Sequence, residues 1–356
     1  MNETDIASLR LSSQRIAATD FTTPKQLVAW MGAMQAQDYA MVKWAVGVRL
    51  QHATDANVES AIDKAEIIRT HLLRPTWHLV SADDIYWMLD LTAPQIKRGM
   101  KTRQNELGLT ESVLSKSRKV IEKILRDGNS VTREELIAAL NKAGIATDEN
   151  RASHIFVAAE LESLICSGEV KGGKQTFSLL NERVPQIKRL GRDEALASLA
   201  KRYFSSHGPA TADDFNWWSG LPASDARRAL DMAKSEFSSA VVDAKTYWFA
   251  EANVKQKESV FLLPAFDEFI ISYRDRSAVI TEENHKRAVS NNGIFHPVAV
   301  VNGQVAGVWK RSFKKDKVLV DLKPFAGFTK SSQKLLEAAL VQYGEFLGRD
   351  AQLSIL

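Results

Sequence analysis

Thr132-Arg133-Glu134-Glu135 decides the reading of the fold. A threonine hydroxyl and a glutamate three residues later can each cap the other's unpaired backbone amide, and Leu136, Ile137 and Leu140 follow at helical spacing. That helix stops at Gly144. Upstream, residues 114–125 carry Leu114, Val120, Ile121, Ile124 and Leu125 on one helical face and end at Arg126-Asp127-Gly128-Asn129. Downstream, a third helix over residues 152–167 presents Ile155, Phe156, Ala159, Leu161, Leu164 and Ile165 and ends at Gly168. Two short strands around Gly172-Gly173 close the stretch at Leu180. Three helices followed by a two-stranded wing predict a winged helix-turn-helix unit.

The pattern recurs on both sides. Downstream, a helix over 194–207 precedes Thr211-Ala212-Asp213-Asp214-Phe215, a cap aligned with that at Thr132. A helix over 222–235 and strands over 237–242 and 246–249, around Asp243-Ala244-Lys245, complete that copy. Upstream, Thr23-Pro24-Lys25-Gln26-Leu27 combines a cap, a proline suited to the first helical position and a capping-box glutamine. A helix over 8–18 would precede it, with a helix over 56–64 and strands over 67–72 and 76–80 after it. The C-terminal region reads as strands over 260–263, 270–273, 297–301, 305–310 and 318–322, with Asn302-Gly303 a type I′ hairpin turn. An amphipathic helix over 331–347 and a last strand over 352–355 follow. The expected fold is α+β: winged-helix units over 1–110, 111–190 and 191–250, then a small β-rich domain over 251–356.

Bulk properties narrow the classes. At 356 residues, 45% of them hydrophobic, the chain should bury two to four cores joined in series. A charged fraction of 25% and a mean hydropathy of −0.21 describe a globular chain. The start, MNETDIASLR, lacks the apolar core of a signal peptide, and no run approaches a membrane span, so a cytoplasmic protein, nucleoid-associated in a bacterium, is expected. Cys166, the one cysteine, fits a reducing compartment and reads as a small buried apolar residue. The net charge of +4 is a mild lean towards polyanions. Basic residues cluster at Lys97, Arg98, Lys101 and Arg103, at Arg118, Lys119, Lys123 and Arg126, and at Lys310, Arg311, Lys314, Lys315 and Lys317. No Walker loop, dinucleotide fingerprint, HExxH or paired CxxC is present, and Ser331-Ser332-Gln333-Lys334 reads as a capped helix start, so neither metal nor cofactor is expected.

Helix-turn-helix units place their third helix in the major groove of duplex DNA. Here those helices offer Arg151, Ser153 and His154 in the second unit, and Arg227, Arg228 and Lys234 in the third. Solvated charge on helices that serve only packing is an equal alternative.

Three motifs carry a family resemblance: Met34-Gln35-Ala36-Gln37-Asp38-Tyr39; Arg69-Thr70-His71-Leu72-Leu73-Arg74-Pro75-Thr76-Trp77-His78-Leu79-Val80; and Leu262-Leu263-Pro264-Ala265-Phe266-Asp267-Glu268 with Arg274 and Arg276. Together they resemble the AlkZ/YcaQ-like winged-helix DNA glycosylases over essentially the whole chain. The resemblance implies three tandem winged helices, a C-terminal β domain, and removal of alkylated or crosslinked purines. It also implies a catalytic Gln-apolar-Gln, which Gln35-Ala36-Gln37 fits.

The chemistry is coherent. An alkylated purine is already cationic and leaves readily, so two carboxamides can act by positioning a water against C1′. On a regular helix Gln35 and Gln37 would sit about 200° apart, so the helix beginning at Pro24 must end or distort near Met34 for the pair to act together. Arg69, Arg74 and His78 on the wing strands would hold phosphates, and Lys310 and Arg311 would add DNA contacts. Asp38 would add negative charge. Asp267 and Glu268 read either as carboxylates at the cleft mouth or as structural partners of Arg274 or Arg276. His71 reads as a packing histidine and Trp77 as core.

The expected function is a monofunctional glycosylase acting as a monomer on damaged double-stranded DNA. A non-catalytic DNA-binding regulator on the same scaffold is the alternative, and a protein-interaction module is the third. The absence of coiled-coil heptads or a sensor domain favours the enzyme.

Overall fold

The chain is described here from a computed structural model, over residues 1–186, 189–251 and 257–356. Helices α1 (Glu3–Ser13) and α2 (Pro24–Met31) open it, with Thr23 and Gln26 capping α2 reciprocally. The helix stops at Gly32, whose φ of 76° suits a residue without a side chain, and the backbone enters strand β1 (Ala33–Gln35). Helices α3 (Tyr39–Gly47) and α4 (Asp55–Asp63) lead to the hairpin β2 (Ile67–Leu72) and β3 (Thr76–Ser81). β1 joins the free edge of β3, giving an antiparallel sheet in the order β1-β3-β2. Next comes α5 (Ile85–Glu106), a helix outside the predicted set. Its first turns are buried on every side, from Ile85 to Leu89, so no amphipathic period marks them, and Pro94 stands inside.

The middle stretch is α6 (Glu111–Leu125), β4 (Val131–Thr132), α7 (Arg133–Lys142), α8 (Arg151–Leu161), β5 (Ile165–Ser167), β6 (Thr176–Leu179) and α9 (Leu180–Arg183). The helix expected over 152–167 ends early. Ser163 adopts φ 57°, and Ile165 then pairs with Leu179 across the sheet. After it, α10 (Arg192–His207), α11 (Ala212–Ser219) and α12 (Ala223–Ala233) precede the hairpin β7 (Ser238–Val242) and β8 (Lys245–Phe249).

The last part holds β9 (Val260–Leu263), α13 (Glu268–Ile271), α14 (Glu282–Ala288), β10 (Val298–Val301), β11 (Gln304–Lys314), β12 (Lys317–Pro324), α15 (Lys330–Leu347) and β13 (Asp350–Ile355). One sheet runs β13-β12-β11-β10-β9, with β13 parallel to β12. The strand expected over 270–273 is instead helical, because Asp267 caps a short helix by accepting the Phe269 amide. The architecture is therefore mixed α+β, and no helix among the described residues is long and apolar enough to cross a membrane.

The cores are not joined in series. The largest fuses α1–α4 with the C-terminal sheet and α15: Trp44 packs on Tyr343 and Phe346 at 5.0 and 5.1 Å and donates to the Leu262 carbonyl at 2.7 Å. A second joins β2, β3 and α5 to α10–α12 and Tyr273. Only the core of α6–α8 with β5 and β6 is built within one stretch, and Trp77 leans on it from β3. Apolar faces that could not be covered by near neighbours are covered by segments two hundred residues away.

Candidate active site

The segment Gln35-Ala36-Gln37 lies on and just beyond β1, antiparallel to β3, with Gln35 opposite His78. The ladder continues past the strand, the Ala36 amide donating to the Trp77 carbonyl at 2.7 Å. Gln35 is the last residue of β1 and Gln37 follows in a bend, so the pair lies outside any helix and the 200° separation a helix would impose does not arise, while Ala36 is buried in the largest core.

Each Gln is held differently. The Gln35 amide donates to Glu268 Oε1 at 2.5 Å, and its side-chain Oε1 accepts from Arg74 Nη2 at 2.8 Å. Gln37 is exposed and meets only the Trp77 amide, at 3.4 Å. Between them, the Ala36 carbonyl is gripped by Arg69 through Nε at 3.0 Å and Nη2 at 2.9 Å. The backbone of the segment is thus fixed on both edges before any ligand arrives.

The charge supporting this arrangement is buried. Glu268, from α13, also accepts from the Ser272 hydroxyl and lies 3.5 Å from His207 Nε2. Burial opposes its charge, but His207, Ser272 and the Gln35 amide more than offset that and hold its carboxyl down at about 2. Asp267 is turned the other way. It forms a two-pronged pair with Arg49 at 2.7 and 2.8 Å, both side chains fully buried, so neither the cleft mouth nor Arg274 or Arg276 claims it. Arg274 bridges Asp213 instead.

Several residues expected to hold DNA do other work. Arg69 is buried, stacks over Trp77 at 4.1 Å and reaches Gln175 at 2.5 Å; burial lowers its pKa to about 10. His78 is buried and donates from Nδ1 to the Thr76 carbonyl at 2.9 Å; burial and Arg74 push it down to about 3, so it is a neutral imidazole and not a phosphate clamp. Arg151 is spent on two backbone carbonyls, Ala146 in the loop before α8 and Leu107 at the end of α5. His154 is half-buried, and burial lowers its pKa too. Arg228 pairs with Asp193 at 2.6 Å, while Arg227 and Lys310 are exposed. Arg311 donates to the Tyr343 hydroxyl at 2.8 Å and lies over the exposed ring of Phe313. Asp38 caps α3, accepting the Ala40 and Met41 amides at 3.0 Å each. Among the described residues no group of three or more histidine, cysteine or carboxylate side chains is placed to hold a metal.

Other members of the site carried no linear motif. Trp217 on α11 is 41% exposed and receives Arg74 and Arg276 over its ring at 5.5 and 5.4 Å. The Arg74 turn rests on Gly220: Leu73 has φ 58°, and a Cβ on Gly220 would come within 2.5 Å of the Leu73 carbonyl oxygen. Glu160 is fully buried and bridges His71 Nδ1 at 2.5 Å, tying β2 to α8.

Comparison with known proteins shows the family and the fold. The family model described as DNA glycosylase AlkZ-like matches residues 28–346. A curated relative, the interstrand DNA cross-link repair glycosylase of Streptomyces sahachiroi, is 23% identical over 318 residues, covering 85% of each chain. The solved structure of the Streptomyces sahachiroi DNA glycosylase AlkZ superposes with a TM-score of 0.83 over all of both chains at 19% identity.

Proposed function

Because the chain belongs to the AlkZ-like DNA glycosylase family, we propose that it hydrolyses the N-glycosidic bond of alkylated or crosslinked purines in duplex DNA. The curated relative acts on interstrand cross-links, which supports a substrate of this class. The observation that carries the reading is that Gln35-Ala36-Gln37 leaves the end of β1 outside any helix, with the Gln35 amide and side chain anchored by Glu268 and Arg74.

In this mechanism Gln35 and Gln37 are the catalytic residues. One Gln35 Oε1 lone pair accepts from Arg74, and the other accepts a proton of the attacking water, orienting the water's own lone pair at C1′. Gln37, exposed beside it, holds the water's other proton or the sugar. A carboxamide is too weak a base to deprotonate water before attack, so catalysis rests on positioning and on dipoles facing the developing oxocarbenium ion. The C1′–N bond breaks with its electron pair going to the cationic purine, which leaves neutral without a strong acid, and the oxygen added at C1′ then gives its extra proton to solvent.

The same reading takes the three helix-and-hairpin stretches, over 1–110, 111–190 and 191–250, as tandem winged helices, and 251–356 as a closing β domain. Lys310 and Arg227, exposed and without an ion pair among the described residues, are the proposed non-specific phosphate contacts. The test is base release from duplexes carrying N7-methylguanine or a nitrogen-mustard crosslink. Wild type should release base, and Gln35→Ala and Gln37→Ala should lose about a hundredfold or more with DNA affinity retained. Salt-sensitive binding with no release on either duplex would favour the non-catalytic alternative.

A further inference from the structure

Arg74 and Arg276 present a charge imbalance that the protein itself does not correct. Both guanidinium groups lie over one indole, Trp217, whose Nε1 is pinned to the Ile271 carbonyl at 2.9 Å. Neither forms a carboxylate bridge within 4.0 Å among the described residues. The nearby carboxylates are committed: Asp214 faces Arg10 at 3.8 Å and takes the Arg274 and Asp275 amides, Asp275 pairs with Lys245, and Glu268 serves Gln35, Ser272 and His207.

Donors are left over as well. Arg276 spends Nε on the Ile270 carbonyl at 2.9 Å, and its Nη2 is buried without a partner; Arg74 spends Nη2 on Gln35, and its Nε is buried without a partner. Burial and the charge of Arg74 together hold Arg276 down at about 10, the direction expected of a cation that lacks a counter-charge. Unpaired buried donors on two neighbouring cations are costly, and a bound anion would relieve both costs at once.

We infer that Arg74, Arg276 and Trp217 form a phosphodiester-binding site beside the catalytic carboxamides, taking the backbone phosphate that flanks the nucleotide under attack. Trp217 is the platform that orients both forks. Because Arg74 also holds Gln35, seating the phosphate would set the sugar's C1′ against the Gln35 carboxamide. The identity of the phosphate rests on the glycosylase reading, whereas the existence of an anion site does not.

The experiment uses the full chain and a duplex with a tetrahydrofuran abasic analogue, which has no base to lose. Affinity is measured by anisotropy against salt, with a methylphosphonate placed in turn at each phosphate around the analogue. Arg276→Gln should weaken binding about tenfold and lower the salt slope by about one counterion, and Arg276→Lys should restore the slope. One methylphosphonate position should weaken wild type by the same factor and leave Arg276→Gln unchanged. An unchanged slope in Arg276→Gln, additive losses, or equal losses in the lysine and glutamine variants would each overturn the inference. Base release absent from wild type on methylated DNA, with the slope change intact, would overturn the glycosylase reading and leave the anion site standing.

Discussion

Arg49→Met tests the claim that the active site depends on a salt bridge far from any solvent. The Arg49 side chain makes five hydrogen bonds: to the Gln14 carbonyl at 3.0 Å, Gln14 Oε1 at 2.9 Å, the Ala45 carbonyl at 2.9 Å, and Asp267 at 2.8 and 2.7 Å. Methionine keeps much of the volume and none of these. Asp267 is left fully buried with only the Phe269 amide to hold its charge. Removing one partner of such a pair costs about 3–5 kcal/mol, a large share of the roughly 5–15 kcal/mol that stabilises a typical domain. The loss falls on the core that joins α1–α4 to the C-terminal sheet, and since several cores need not melt together, hydrogen exchange should be followed there separately. Exchange at the β1, β9 and β10 amides should accelerate more than at those of α6–α8. Replacing both members, with Arg49→Met and Asp267→Leu, should recover most of the loss because the orphaned charge is gone. A cost below about 1 kcal/mol for the single variant would refute this account of the junction.

Other outcomes follow from the same structure. His78 has its folded pKa lowered to about 3, so below pH about 6.5 the unfolded chain binds a proton that the folded chain refuses. Stability should therefore fall as pH drops from about 6.5 towards 3, by up to about 1.4 kcal/mol per pH unit for this group, and denaturant melts of His78→Asn should show a shallower dependence by about that amount. Gly220→Ala places a Cβ where the Leu73 carbonyl stands, at a φ of 65°; it should cost about 1–3 kcal/mol in thermal melts and lower base release by displacing Arg74 from Gln35. Lys310→Ala, on an exposed strand face, should leave the melt unchanged and reduce the salt slope of DNA binding by about one counterion.

The regular elements were legible where capping chemistry and periodicity agreed. Thr23 with Gln26, Thr132 with Glu135 and Thr211 with Asp214 all cap the helices expected of them. The failures share one cause, which is burial that erases periodicity. α5 is buried on every side over its first turns, Ile85 to Leu89, and the stretch after Asp267 is apolar enough to pass for a strand while its cap makes it helical. Leu164 and Ile165 continue the apolar rhythm of α8 beyond the point where Ser163 turns the chain, so the rhythm alone could not mark the end.

Gln35 and Gln37 were named from a motif, but the contacts that hold Gln35 were not, because they meet only in three dimensions. Gln35 comes from β1, Arg74 from the β2–β3 turn, Trp217 from α11, and Glu268 and Arg276 from the segment beginning at α13. Charge counting along the chain assigned Arg69 and His78 to phosphates and offered Arg151 to the major groove because it could not see that backbone carbonyls had already claimed them. Arg74 and Arg276 differ from these three in having donors left over after folding. Arg10, Arg15 and Arg183 also keep a buried donor without a partner, so what sets Arg74 and Arg276 apart is that both forks lie over one exposed indole and neither has a carboxylate bridge among the described residues. The proposed anion site rests on that combination, at Trp217 beside the Arg74 fork that holds Gln35.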